Sequence, residues 1–464
     1  MEPTLPLALD AETWSTPAVA PGRIVATDRS GLVRAWDASG EVAWEVRLGA
    51  EITASPTLAD LPDPTILIGD HAGTFVALDL ATGTERWRQS FGAMIRATCA
   101  VTECEGETAI WLPVYGPRLV RMTDDGRVLY DRALPKNAVY QRGRDAGAVS
   151  SPLVADIDGD GRLEVVFGVR AQRVYCCDAE TGEILWFTPL RYDPDSSPTL
   201  TEADGLPLVL VGGGEHTGGT GDNALLALHP RDGRVVWTAP AGAGVDGAAT
   251  IAEVDGEPLA FFCSLGSGSV IATDLSGIER WAQPFGPTEA CVHDPICRDP
   301  ARPYFTGRAI CRSYVTPLVA DLDGDGRREV VAGSNNGTLL VLDAATGEER
   351  HRLQTGGMVR GSAILGDLDG SGRLTMVVPS GDRILTFPTQ AASAEAWPQY
   401  KGDPSHLGWR EPRPVAPTHG PRPALLGPRL AWHSTVRDAA RFAAFQVERR
   451  LLNPLGIRLA EHYY

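Results

Sequence analysis

Residues 75–87, FVALDLATGTERW, decide the fold. An apolar run leads to Asp79, a turn follows through Gly83, and a second short run ends on Trp87. Asp and Gly supply turn chemistry: the carboxylate caps nearby backbone N–H groups, and glycine accepts a positive φ. The stretch therefore reads as a hairpin whose outer arm carries an aromatic four residues beyond the turn glycine. The same offset recurs at Gly40/Trp44, Gly126/Tyr130, Gly182/Trp186, Gly233/Trp237 and Gly277/Trp281, and Gly347 is followed at that offset by His351. RVYCCDAETG (173–182) and LLVLDAATG (339–347) repeat the inner arm. Upstream of each hairpin stand two further runs, such as SSPLVAD (150–156) and LEVVFG (163–168), so each unit reads as four short antiparallel strands. Successive turn glycines lie 43, 43, 56, 51, 44 and 70 residues apart, the period of propeller blades with insertions.

The expected fold is all-β: an eight-bladed β-propeller of four-stranded antiparallel blades, followed by a Pro-rich linker and a short C-terminal helix. Blades are placed near 12–49, 52–92, 95–134, 147–190, 195–240, 246–286, 313–356 and 358–400. The eighth lacks the turn signature, and residues 5–10 precede blade one where an outermost strand would close the ring and remove its open edges. With 51 Gly and 35 Pro in 464 residues, turn-formers far exceed their usual share of about 12%. No stretch approaches the ~20 apolar residues of a membrane span.

The 77–87 repeat, ALDLATGTERW, resembles the tryptophan-docking repeat of PQQ-like eight-bladed propellers, and WPQYKGDPSHLG (397–408) is similar to a segment common in that family. The resemblance covers roughly residues 5–408. It implies the propeller fold, and it leaves activity open, because the family holds quinoprotein dehydrogenases and non-catalytic assembly scaffolds alike. A quinoprotein would hold a calcium-bound quinone in the funnel. No Glu, Asn and Asp set here matches the family's metal and base positions, so PQQ is not expected. Nor is the vicinal disulfide of some quinoproteins carried over to Cys176-Cys177, which sit inside a strand where side chains alternate faces and are read as core.

Two blades carry D-x-D-x-D-G-x-x-E between their first and second strands: Asp156, Asp158, Asp160, Glu164 and Asp321, Asp323, Asp325, Glu329. Hard oxygens at alternate positions wrap one cation, the carbonyls of Arg162 and Arg327 can add a ligand, and the final Glu closes the shell, which is calcium logic. The loops resemble those of FG-GAP-type propeller repeats. About two structural calcium ions are expected, away from the funnel. A third copy, Asp367, Asp369 and Ser371, ends in Thr375 and should bind weakly or not at all. The alternative is plain acidic turns.

The insertion at 287–312 holds Cys291, His293, Cys297 and Cys311, which could make a tetrahedral zinc site, although the spacing fits no standard zinc module; an ordered loop or a disulfide is the alternative. Loops expected on the funnel face hold His71, Arg96, Tyr140, Arg142, Arg144, Asp145, Tyr192, Asp195, Glu215, His216, Asp246, Asn335 and Arg360. Converging, they could bind a polar small molecule or a peptide, and His216 near Asp246 could act as a general base; otherwise they are solvated loop residues.

The net charge of −17 argues against nucleic acid as a partner. Residues 409–464 are locally basic, with nine Arg against four acidic residues. Residues 411–428 read as an extended linker. A helix is expected over 434–452, with Val436, Ala440, Ala443, Val447 and Leu451 at helical spacing, docked on its own ring, on a partner or on a membrane surface. The N-terminal stretch MEPTLPLALDAETW has no basic start followed by an apolar core, which predicts a cytoplasmic chain without a transmembrane segment. The reading that results is a calcium-stabilised propeller acting as a binding or scaffold module for a protein, peptide or small ligand. The alternative is an enzyme sited in the funnel, either a quinoprotein-type dehydrogenase or a non-redox metabolic enzyme.

Overall fold

The hairpin at 75–87 shows how each blade is built. Asp79 accepts the N–H groups of Ala81 at 3.0 Å and Thr82 at 2.9 Å, and Gly83 closes the turn at φ +71°. Beyond the turn the pairing slips by one residue between Ala77 and Leu78, a bulge that adds local twist. The same slip occurs at the corresponding place in the six other blades that carry the turn signature. In six of these seven blades the outer strand carries an aromatic side chain that reaches the turn glycine of the neighbouring blade.

The computed structural model describes residues 2–4, 6–104, 106–135, 147–191, 193–214, 223–265, 268–286 and 312–392. Their strands form eight four-stranded antiparallel sheets, each ordered simply along the chain except the last. That sheet takes three strands from 364–392 and its outermost strand from the N-terminus, Pro6–Ala8, with Pro6 opposite Leu385 and Ala8 opposite Arg383. The buried Asp28 carboxylate anchors the incoming chain by accepting the N–H groups of Asp10 (3.0 Å) and Ala11 (2.9 Å). The ring is an all-β, eight-bladed propeller. The helix expected over 434–452, the linker before it and the cysteine insertion lie outside the described residues.

Aromatic docking ties the blades in sequence. The Trp44 indole N–H donates to the Leu80 carbonyl of the next blade at 2.9 Å, Trp87 to Asp124 at 2.8 Å, Trp186 to Pro230 at 2.6 Å and Trp281 to Ala344 at 3.0 Å. The Tyr130 hydroxyl does the same for Ala179 at 3.1 Å. Each ring lies over the turn glycine of that next blade, where no Cβ would fit: at Gly347 one would stand 2.6 Å from Trp281 Cδ2. Apolar strand residues fill the space between adjacent sheets, and alternation sends neighbours in sequence to different interfaces. Cys177 packs with Trp111 and Phe167 toward the blade before, Cys176 with Val209 and Leu226 toward the blade after. Both are fully buried free thiols, so the core reading of this pair describes where they sit.

Candidate functional site

The first strand of every blade enters next to the axis, and a ring of hydroxyls closes there. The backbone N–H of Thr16 donates to Ser55 Oγ at 3.0 Å, Ser55 to Thr98, Thr98 to Ser151 and Ser151 to Ser197, each at 3.0 Å. On the far side Ala248 donates to Thr316 at 3.0 Å, Thr316 to Ser362 at 2.9 Å, and Ser362 to Thr16 Oγ1 at 2.9 Å. The last bond spans 346 residues of sequence and joins the eighth blade to the first. Blade six breaks the pattern with Ala248, where Ser196 Oγ of the preceding blade instead reaches the Gly247 carbonyl at 2.9 Å. These bonds satisfy buried backbone donors between blades without consuming any strand pairing.

Two residues before each ring position, one side chain per blade faces the axis: Trp14, Thr53, Arg96, Val149, Asp195, Asp246, Tyr314 and Arg360. Together with Gly361 and the ring hydroxyls other than that of Thr316 they line an axial cavity of about 170 Å³. Arg360 stacks between aromatic faces, its guanidinium carbon 4.1 Å from the Trp14 ring centre and 4.3 Å from that of Tyr314, and Arg29 stands 4.1 Å from the same Trp14 ring. Asp195 is held by Arg170 through two bonds, Nε at 3.1 Å and Nη2 at 2.6 Å, so that the pair is close to neutral. Burial lowers the Arg96 pKa, with the nearby Arg170 charge acting in the same direction; Asp195, Tyr115 and Asp246 oppose the shift.

The residues expected on the funnel face therefore separate. Arg96, Asp195, Asp246 and Arg360 meet at the axis. His71 and Asn335 sit one position further out, in the loops between second and third strands. His71 shares a hydrogen bond with Thr53 Oγ1 at 2.8 Å and lies 3.7 Å from Glu51; burial holds its pKa below the usual value. Asn335 is fully buried and its side chain accepts the Arg312 N–H at 2.9 Å, so it pins the entering chain and does not line the cavity. Tyr140, Arg142, Arg144, Asp145, Tyr192, Glu215 and His216 fall outside the described residues, as do Cys291, His293, Cys297 and Cys311. A general-base pair of His216 with Asp246 thus receives no geometry.

Trp14, Tyr314, Thr53, Val149 and the hydroxyl ring escaped the sequence reading. A signal for them exists: Ser or Thr followed by Pro recurs at 16–17, 55–56, 151–152, 197–198 and 316–317, and the residue two before it is the axial one.

The acidic loops lie at the other end of the same first strands, away from the cavity. Asp156 accepts the N–H groups of Gly159 at 2.8 Å and Gly161 at 2.9 Å, and carboxylate oxygens of Asp156, Asp158 and Glu164 come within 4.8 Å of one another. Arg231 of the next blade donates to the Asp158 carbonyl at 3.1 Å. In the second loop Asp321, Asp323 and Asp325 approach equally closely. Glu329, 4% exposed, accepts the Leu322 N–H on Oε2 at 2.8 Å and leaves Oε1 buried without a hydrogen-bond partner. Its pKa is pushed up to about 7, by burial first and then by Asp323, Asp325 and Asp321. Gln390 of the eighth blade donates its backbone N–H to the Leu322 carbonyl at 2.8 Å, so this loop also touches its neighbour. The side chain of Arg162 pairs with Asp178 and Glu180, both at 3.3 Å, and that of Arg327 lies 4.0 Å from Asp343. In the third copy Asp367 Oδ2 takes the Gly372 N–H at 3.0 Å, and Asp369 takes that of Ser371 at 3.0 Å.

A family profile described as outer membrane protein assembly factor BamB matches residues 6–156 and 124–291. Among solved structures, BamB from Moraxella catarrhalis superposes with a TM-score of 0.57 at 17% identity, over 83% of this chain and 98% of that one. Sqt1 of Saccharomyces cerevisiae gives 0.58 at 12% identity, covering 83% and 98%. The computationally designed Ika8 protein gives 0.54 at 14%, covering 83% and 100%. At these identities the likeness concerns the fold. A curated relative, the beta-alanine-activating enzyme of Mus musculus, is 36% identical over 66 residues; the match spans 13% of this chain and 6% of that enzyme's length.

Proposed function

The chain belongs to the family described as outer membrane protein assembly factor BamB, and from that premise we propose that it is a protein-binding scaffold that presents its axial face to a partner. One observation carries this reading. The repeats agree where they build the ring, with Ser or Thr at seven of the eight hydrogen-bonding positions, and disagree where they face the axis, which offers Trp, Thr, Arg, Val, Asp, Asp, Tyr and Arg. Dissimilar side chains held on one rigid frame make a recognition surface. The test is capture from the protein's own cells at endogenous level, comparing the native chain with an Asp246→Arg, Arg360→Asp double variant. Recovery of one defined partner by the native chain and its loss with the folded variant are expected. A partner retained by the variant would move the interface elsewhere, with residues 434–452 the next candidate.

As part of the same reading we propose that calcium occupies the loops at 156–164 and 321–329 and staples neighbouring blades. The D-x-D-x-D-G-x-x-E spacing supports this, as does the buried anionic oxygen of Glu329, which lacks a partner and which a divalent cation would satisfy. Metal analysis of gently purified protein tests it. About two calcium ions per chain are expected, falling to about one in Asp321→Asn; a metal-free protein as stable as the calcium-treated one refutes it.

A further inference from the structure

The axial cavity shows a consistent imbalance of hydrogen-bonding groups. The buried lining atoms that lack a partner are donors: the indole N–H of Trp14 and Nε of Arg360. Arg96 joins them, since among the described residues its guanidinium makes no hydrogen bond and no ion pair, though burial and the nearby Arg170 charge already disfavour its cation. The ring hydroxyls add to the donor side. Those of Thr16, Ser55, Thr98 and Ser362 each accept a backbone N–H, which leaves the hydroxyl proton to point elsewhere. Of the two acidic side chains on the lining, Asp195 is already engaged by Arg170. Among the described lining residues, Arg96 and Arg360 then stand with one further carboxylate, Asp246, so cationic side chains outnumber the acidic ones left to them. Stacking of Arg360 against Trp14 and Tyr314 fixes the position of its guanidinium in the lining.

Buried donors without acceptors are costly, and two cations with too few carboxylates around them are more so. A ligand that supplied negatively charged oxygens would correct both. Ligand pockets for drug-sized molecules run to about 300–1,000 Å³, so a cavity of about 170 Å³ admits a single side-chain-sized group. We propose that the axial cavity is a carboxylate site, in which Arg96 and Arg360 together receive one acidic group of a protein partner, either an Asp or Glu side chain or a chain terminus. The proposal rests on the scaffold reading and names the chemistry of that site.

Ligand-observed NMR titration of the purified full-length chain tests it with four probes. Acetyl-glutamate amide carries only the side-chain carboxylate, acetyl-alanine only the terminal one, acetyl-glutamine amide is the neutral match, and inorganic phosphate is the competing anion. One or both carboxylates are expected to bind at least about tenfold more tightly than the glutamine analogue, and whichever binds better identifies the source. Arg96→Gln and Arg360→Gln should each weaken that binding about tenfold or more, while Arg96→Lys keeps part of it. Circular dichroism and the melting temperature confirm that each variant is folded; among the described residues Arg96 makes no hydrogen bond whose loss would unfold it. Equal binding of the glutamate and glutamine analogues, full binding in Arg96→Gln, or a clear preference for phosphate would each overturn the carboxylate site. Partner capture that survives Arg96→Gln while probe binding is lost would separate this site from the scaffold role. Carboxylate binding without any captured partner would do the reverse.

Discussion

Replacing Gly347 with alanine tests whether aromatic docking, rather than turn geometry alone, joins the blades. Gly347 has φ +73°, and a Cβ there would lie 2.6 Å from Cδ2 and 2.7 Å from Cε3 of Trp281. Two costs follow. The left-handed backbone costs an alanine about 1–2 kcal/mol, and forcing a methyl against a packed ring costs a further ~1–3 kcal/mol. Gly242 is the matched control, with φ +74° and nothing within 4 Å of its would-be Cβ, so Gly242→Ala should cost the backbone term alone. At about 2 cal/mol/K per residue, the ring of nearly 390 residues loses a little over ~1 °C per kcal/mol. Calorimetry should therefore show Gly347→Ala melting about 2–6 °C lower than the native chain and Gly242→Ala about 1–2 °C lower. Trp281→Ala provides the closing arm. It loses the bond to Ala344 and the packing on Phe261, and it should bring the added cost of Gly347→Ala down to that of Gly242→Ala. Equal melting of the two glycine variants in the native background would refute the docking argument.

Thr16→Val keeps the shape of the side chain and removes the acceptor of the Ser362 N–H at the junction between the eighth and first blades, so a loss of about 1–3 kcal/mol is expected by chemical denaturation; no measurable loss would show that the strand pairing of Pro6–Ala8 alone holds the closure. Glu329 gives a pH dependence. Its folded pKa of about 7 lies above the ordinary glutamate value of 4.5, so the metal-free fold holds more protons than the unfolded chain between those values and its stability should fall as pH rises from about 4.5 through 7. Calcium should reverse that trend, and Glu329→Gln should abolish it; a flat melting temperature across this range without metal would contradict the burial of the carboxyl. Burial also raises the thiol pKa of Cys99 and Cys263 to about 12, and that of Cys177 still higher, so these cysteines should be silent toward a thiol reagent in the native protein and react once it unfolds.

The turn at Asp79–Gly83 and the ring side chain four residues later mark seven of the eight blades, because those signals are local; the eighth, which lacks them, was legible only from its inner strands. A carboxylate capping N–H groups two and three residues on, or a glycine at φ +71°, depends on neighbours in the chain and is written in their order. Closure by the N-terminal strand was legible for a related reason: a blade short of one strand and a strand without a blade imply each other. The acidic loops at 156–164 and 321–329 were likewise visible as local patterns. The axial site was not. Its lining takes one residue from each blade, between Trp14 and Arg360, so its residues are separated by most of the chain and share only a position in the ring. Sequence could place Arg96, Asp195, Asp246 and Arg360 on the correct face, since each precedes a first strand. It could not show that Asn335 turns inward to hold Arg312, or that Asp195 is spent on Arg170 while Arg96 finds no hydrogen-bond partner among the described residues. Those outcomes depend on distances across the ring, which the closure of eight blades sets and no local pattern records.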